Sequence, residues 1–168
     1  VLAADFTFTP SNPQVGESVS FTGIASGGTG PYSYTWNFGD ASPAGSGAST
    51  THVYSAANTY TVTLTVADSA GHTVTKPRPV AVTPALTADF TFTPTNPVVG
   101  QTVTFSGTRT GGHSPYTFAW EFGDGTPDGT VQNVGHAFSS SATFTVTLTV
   151  TDSGGPPAHV ATRSRPVT

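Results

Sequence analysis

Ala4-Asp5-Phe6-Thr7-Phe8-Thr9-Pro10 returns letter for letter as Ala88-Asp89-Phe90-Thr91-Phe92-Thr93-Pro94, 84 positions later. The same displacement carries Trp36 onto Trp120, Asp40 onto Asp124, His52 onto His136 and Asp68 onto Asp152. It runs without a gap as far as Gly71 and Gly155, with about half of the positions identical. Self-similarity at a fixed period marks a chain assembled from one repeated unit. The expected organisation is therefore two copies of a domain, 1–84 and 85–168. Each copy is small but long enough to bury a core without staples.

Within a copy the apolar residues alternate. In Tyr60-Thr61-Val62-Thr63-Leu64-Thr65-Val66 every apolar side chain shares one parity and every threonine the other, the period of a half-buried β-strand. Phe6 and Phe8, Val19 and Phe21, and the run Tyr32, Tyr34, Trp36, Phe38 follow the same rule, and Val74, Val80 and Val82 supply a last strand region. Pro10 to Pro13, Gly27 to Pro31, Ala41 to Ser49 and Asp68 to Gly71 read as turns or loops. Short strands at this spacing predict an all-β, antiparallel sandwich in each copy. With no cysteine in the chain, disulfides and thiolate metal sites are excluded.

The ends of the copies differ. Lys76-Pro77-Arg78-Pro79-Val80 matches Arg163-Ser164-Arg165-Pro166-Val167 at a displacement of 87, which places a three-residue insertion, Pro156-Pro157-Ala158, in the last hairpin of copy two. A loop absorbs this cheaply. The junction 82–87 is short, with one proline and no glycine, so a stiff end-to-end joint is expected. The repeat edges coincide with the chain ends, the pattern expected of an excerpt from a longer array.

Charge is scarce. Asp, Glu, Lys and Arg make up 8% of the residues, against about 25% in an average domain, while Thr and Ser account for 49 of 168. A net charge of −4 with five Lys and Arg argues against nucleic acid, which needs clustered cations. No apolar run approaches the roughly 20 residues of a membrane span. A hydroxyl-rich, weakly charged surface suits packing against like neighbours or O-linked sugar. It equally suits a β-protein whose exposed positions are simply threonine.

Trp36-Asn37-Phe38-Gly39-Asp40 and Trp120-Glu121-Phe122-Gly123-Asp124-Gly125 are similar to the W-D-F-G-D-G signature of the PKD (polycystic kidney disease) domain family. His52-Val53-Tyr54 and His136-Ala137-Phe138 resemble its H-x-Y, and Tyr60 to Val66 its Y-x-V-x-L-x-V strand. Asn37 and Glu121 depart from the family's first Asp, and Ala41 from the Gly after Asp40. The resemblance implies two tandem immunoglobulin-like sandwiches without disulfides, found outside the cell. It also implies non-catalytic modules that act as spacers, adhesive units, or protein and sugar contacts.

Trp36 and Trp120, in phase with flanking aromatics, are expected to anchor the cores. Asp40 and Asp124 are expected to cap their turns, with His52 and His136 bonded to them. Tyr32 and Tyr116, at strand ends after Gly-rich loops, are the candidates for sugar stacking. If the chain holds calcium, Asp124 and Asp128 of copy two, or Asp89 at the joint, are its ligands, although the bidentate glutamate of an EF-hand is missing. Calcium aside, no cofactor is expected. His113, unmatched in copy one, is expected in solvent. No nucleophile elbow, zincin helix or phosphate loop is present, so no enzyme is expected. The favoured reading is a structural repeat of a surface filament, surface layer or adhesin stalk, whose partners are copies of itself or other surface proteins. The alternative is an accessory spacer of a secreted chitinase or protease that binds polysaccharide or protein.

Overall fold

The computed structural model describes every residue except Pro156, so one residue of the expected insertion lies outside the described residues. The chain divides into two units, Val1–Pro84 and Ala85–Thr168.

Unit 1 contains β1 (Ala3–Thr9), β2 (Ser18–Ser26), β3 (Ser33–Asn37), β4 (Gly45–Ser46), β5 (Ser49–Val53), β6 (Asn58–Ala67) and β7 (Thr73–Val82). Its two antiparallel sheets have the orders β1-β2-β5 and β4-β3-β6-β7. Unit 2 contains β8 (Thr87–Thr93), β9 (Thr102–Thr110), β10 (Tyr116–Glu121), β11 (Asn133–Ala137), β12 (Phe144–Asp152) and β13 (Val160–Val167). Its sheets run β11-β9-β8 and β10-β12-β13. Among the described residues no helix is long and apolar enough to cross a membrane.

The alternation that predicts β6 also decides its burial. Tyr60, Val62, Leu64 and Val66 are buried, whereas the intervening threonines are not. Phe6, Val19 and Phe21 of one sheet meet Trp36, Val62, Leu64, Val66 and Val80 of the other. Trp36 is fully buried, with Phe6 edge-on at 5.2 Å and Phe21 tilted at 5.7 Å. Its indole N–H, which would otherwise be stranded in the core, donates to the Gly47 carbonyl at 2.9 Å. Unit 2 repeats this around Trp120, with Phe90, Phe105 and a bond to the Val131 carbonyl at 2.8 Å. Each unit thus has its own sealed core.

Two strand regions differ from the sequence expectation. The segment read as a loop from Ala41 to Ser49 contains β4, paired through Trp36 to Gly45. In unit 2 the equivalent contact shrinks to a single bridge between Trp120 and Gly129. β5, Ser49-Thr50-Thr51-His52-Val53, buries no side chain fully and so lacks the apolar signature. Its place comes from pairing to β2, with Val19 opposite His52.

Candidate functional site

The repeated aspartates organise the polar geometry of each unit. Asp40 follows Gly39 in the turn after β3, and its Oδ1 accepts hydrogen bonds from the Ser42 amide and hydroxyl. Its Oδ2 lies 2.6 Å from His52 Nε2 on β5, so the pair fastens one sheet to the other. The imidazole stacks flat on Phe38 at 4.0 Å and stands edge-on to Tyr54 at 4.6 Å. Unit 2 rebuilds this with Thr126, Asp124 and His136, at 2.7 Å, beneath Phe122 at 4.0 Å. Burial alone would raise both carboxyls. Hydrogen bonds from Ser42 or Thr126 and from the histidine outweigh it and hold them below the ordinary value.

Serine, histidine and aspartate occur together here, but their wiring is not that of a hydrolase. Nucleophilic catalysis needs the hydroxyl to pass its proton to the imidazole. Here Ser42 and His52 both bond the carboxylate, one on each oxygen. The aspartate is the hub of a turn-to-strand clasp, worth about 1.5–3 kcal/mol for a hydrogen bond to a charged group.

A second carboxylate organises the loops at the far end of each sandwich. In unit 1, Asp68 accepts the amides of Thr29, Ala70 and His72, and the His72 ring at 3.0 Å. In unit 2, Asp152 accepts the amides of His113, Gly154 and His159 at 2.8–3.0 Å. His159 Nδ1 lies 3.1 Å from both of its oxygens. Burial pushes these carboxyls up, but the donated hydrogen bonds prevail and bring each down to about 2. His72 leaves 72% of its side chain exposed, whereas His159 leaves 14%. The surroundings differ in two ways: unit 1 has Thr29 where unit 2 has His113, and the loop leading to His159 is three residues longer. His113 is half-buried, not in solvent as expected, because its amide is drawn into the Asp152 cage.

The two alternatives for calcium, Asp124 with Asp128 or Asp89, meet different surroundings. Asp89 is paired with Arg165 at 2.8 Å and Arg163 at 3.3 Å. Two guanidiniums beside one carboxylate oppose a cation there. Unit 1 has the same cross-sheet pairing, with Asp5 bonded to Arg78 at 2.7 Å and Lys76 at 3.8 Å. In both units the arginine also lies over a core phenylalanine, Phe6 or Phe90, at 5.7 Å. Asp124 is engaged by His136 and Thr126, and Asp128 is exposed.

The sugar-stacking candidates are half-buried against their cores. Tyr32 and Tyr116 donate their hydroxyls to the Gly27 and Gly111 carbonyls at 2.6 and 3.0 Å. The Arg109 guanidinium covers the Tyr116 ring at 3.5 Å. A ring already covered on one face and tethered at its hydroxyl is a poor platform for a sugar.

Unit 2 also has an apolar groove of about 330 Å³ floored by Phe138, Phe144 and Val167 and rimmed by Pro97, Val98 and Val99. Val98 and Val99 are exposed. In unit 1 the corresponding floor is covered. Val82 is buried there, and Thr83 bridges Gln14 in parallel register, accepting the Val15 amide at 2.9 Å.

His113, Asp152 and His159, which the sequence does not single out as a group, form a cluster in which one donor atom from each lies within 4.8 Å of the others. The signal was available in the two displacements, 84 residues setting Asp152 upon Asp68 and 87 residues setting His159 upon His72. His113 sits 39 residues before Asp152 and becomes its neighbour only through the fold.

The family profile described as "PKD domain" matches residues 3–83 and again 83–167. Among solved structures, the C-terminal 282-residue fragment of intimin, in complex with the intimin-binding domain of its translocated receptor, superposes with a TM-score of 0.61 at 14% identity. The match covers 98% of this chain and 63% of that one. The three N-terminal domains of the outer capsid protein Hoc of bacteriophage RB49 superpose with a TM-score of 0.52 at 15% identity, over 99% of this chain and 58% of that one. At these identities the likeness is one of fold.

Proposed function

The chain belongs to the PKD domain family, as a tandem of immunoglobulin-like modules, and from that premise we propose that it is a non-catalytic structural repeat outside the cell, joined to copies of itself or to other surface proteins in a filament, surface layer or adhesin stalk. One observation carries this reading. Each unit closes its own core and satisfies its repeated carboxylates internally, so the polar chemistry of the signature turns is spent on the fold. What remains outward is a strand surface of threonine and serine with few charges, for example Thr61, Thr75, Thr104 and Thr145. Such a surface costs little to desolvate against a neighbour, since it buries few ions.

The test needs no ligand: analytical ultracentrifugation and negative-stain imaging of the chain at rising concentration. Assembly that weakens at least tenfold when charge is placed on the exposed strand faces, in a Thr61→Asp, Thr145→Asp double variant, is expected. A chain that stays a monomer at all concentrations, or assembles equally well with both aspartates, overturns the proposal.

A further inference from the structure

We propose that the loop end of unit 2 is a transition-metal site, in which His113, Asp152 and His159 bind one borderline dication of the zinc class. The three residues come from the β9–β10 loop, the end of β12 and the residue before β13, and each offers a donor atom within 4.8 Å of the other two.

Four observations go beyond proximity. First, His113 Nδ1 is buried and has no hydrogen-bond partner among the described residues. A buried imidazole nitrogen without a partner is costly, and a metal ion is one group that satisfies it. Second, both imidazoles turn Nδ1 towards the same spot. A Cβ added at Gly154 would lie 2.6 Å from His159 Nδ1 and 3.0 Å from His113 Nδ1. Glycine at 154 therefore lets the two nitrogens approach one another, where any side chain would clash with both. Third, three backbone amides fix the Asp152 carboxylate beside both histidines, so an oxygen donor is already in position. Fourth, unit 1 keeps the same cage without the second histidine. Asp68 and His72 are present, Thr29 stands at the position of His113, and His72 is largely exposed. The shared cage is what the fold requires, and His113 is an addition peculiar to unit 2.

The donor set selects the metal. Two imidazoles and one carboxylate suit zinc, copper or nickel, whereas calcium and magnesium prefer oxygen. A tetrahedral ion with bonds of 2.0–2.2 Å holds its ligands about 3.3 Å apart, so modest side-chain rotation closes the set. His159 Nδ1, which donates to Asp152 in the metal-free cage, would then carry its ring proton on Nε2. Three protein ligands leave the fourth position of a zinc ion to water or to a donor from a partner.

The experiment is calorimetric titration of the full chain, stripped with chelator, with Zn²⁺ alone. It is paired with the absorption spectrum of the Co²⁺ form, which reports coordination geometry. One Zn²⁺ per chain is expected, with a tetrahedral Co²⁺ spectrum. His113→Thr installs the residue that unit 1 already accommodates, so the fold is preserved. It is expected to weaken binding at least tenfold, as is Gly154→Ala, while His72→Ala leaves binding unchanged. The absence of saturable binding, or binding that survives His113→Thr, or binding lost with His72→Ala, overturns the site. Thermal unfolding of each variant without metal separates a lost ligand from a lost fold.

Discussion

The two copies differ at one turn residue in a way that makes each the control for the other. After the signature aspartate, unit 2 has Gly125 at φ +77° and unit 1 has Ala41 at φ +63°, the left-handed region that favours glycine. A Cβ at Gly125 would meet no atom within 4 Å, so Gly125→Ala tests backbone strain without a steric clash. Placing an L-residue there costs about 1–2 kcal/mol, and the smaller entropy of the unfolded alanine chain returns about 0.4–1 kcal/mol. The expected net loss in unit 2 is about 0.5–1 kcal/mol. Ala41 is exposed, so Ala41→Gly removes no core contact and should stabilise unit 1 by a similar amount. For a domain of this size 1 kcal/mol moves the melting temperature by about 4–8 °C. Scanning calorimetry measures both shifts, and urea titration read on Trp fluorescence assigns them. A Trp120→Phe background reports unit 1 alone, and Trp36→Phe reports unit 2. Shifts of the same sign for both substitutions, or no change in either, would refute the strain argument.

The tryptophans should also behave as core anchors. Trp36→Phe removes part of a fully buried ring and orphans the Gly47 carbonyl. It is expected to destabilise unit 1 by about 2–4 kcal/mol from lost burial, cavity and hydrogen bond together. A urea-measured loss below about 1 kcal/mol would contradict full burial. The loop carboxylates predict acid sensitivity. Asp68 and Asp152 sit at about 2 in the fold, below the ordinary 3.8. Their contribution is therefore complete above pH 4 and is lost as pH falls through 2. The urea midpoint should fall across that window, with a shallower fall for unit 2 in Asp152→Asn. A midpoint flat from pH 5 to pH 2 would count against the cages.

Much of the fold is legible wherever a strand has one buried face. Tyr60 to Val66 and Phe144 to Val150 announce their register because water excludes every second residue. The same parity places Trp36 and Trp120 inside. β5 and β11 are not legible in this way, because they fully bury no side chain and are held by pairing to β2 and β9. The clasping of Asp40 by His52 could be anticipated from a repeated turn aspartate and a repeated histidine. The neutralisation of Asp89 by Arg163 and Arg165 could not, since those residues lie 74 and 76 positions apart in the chain.

The sequence by itself determined that the chain is built twice, that each half is a sandwich of short strands, and that a tryptophan and a turn aspartate recur in each. These follow from local periodicity and from the internal repeat, which every stretch of chain displays without reference to distant residues. Only the tertiary structure decided which polar groups meet. It turned a solitary histidine in a loop into a neighbour of Asp152 and His159, and it gave Asp89 two arginine partners. Hydrogen bonds and ion pairs act over about 3 Å, and only the packing of one sheet upon the other brings those groups within that distance.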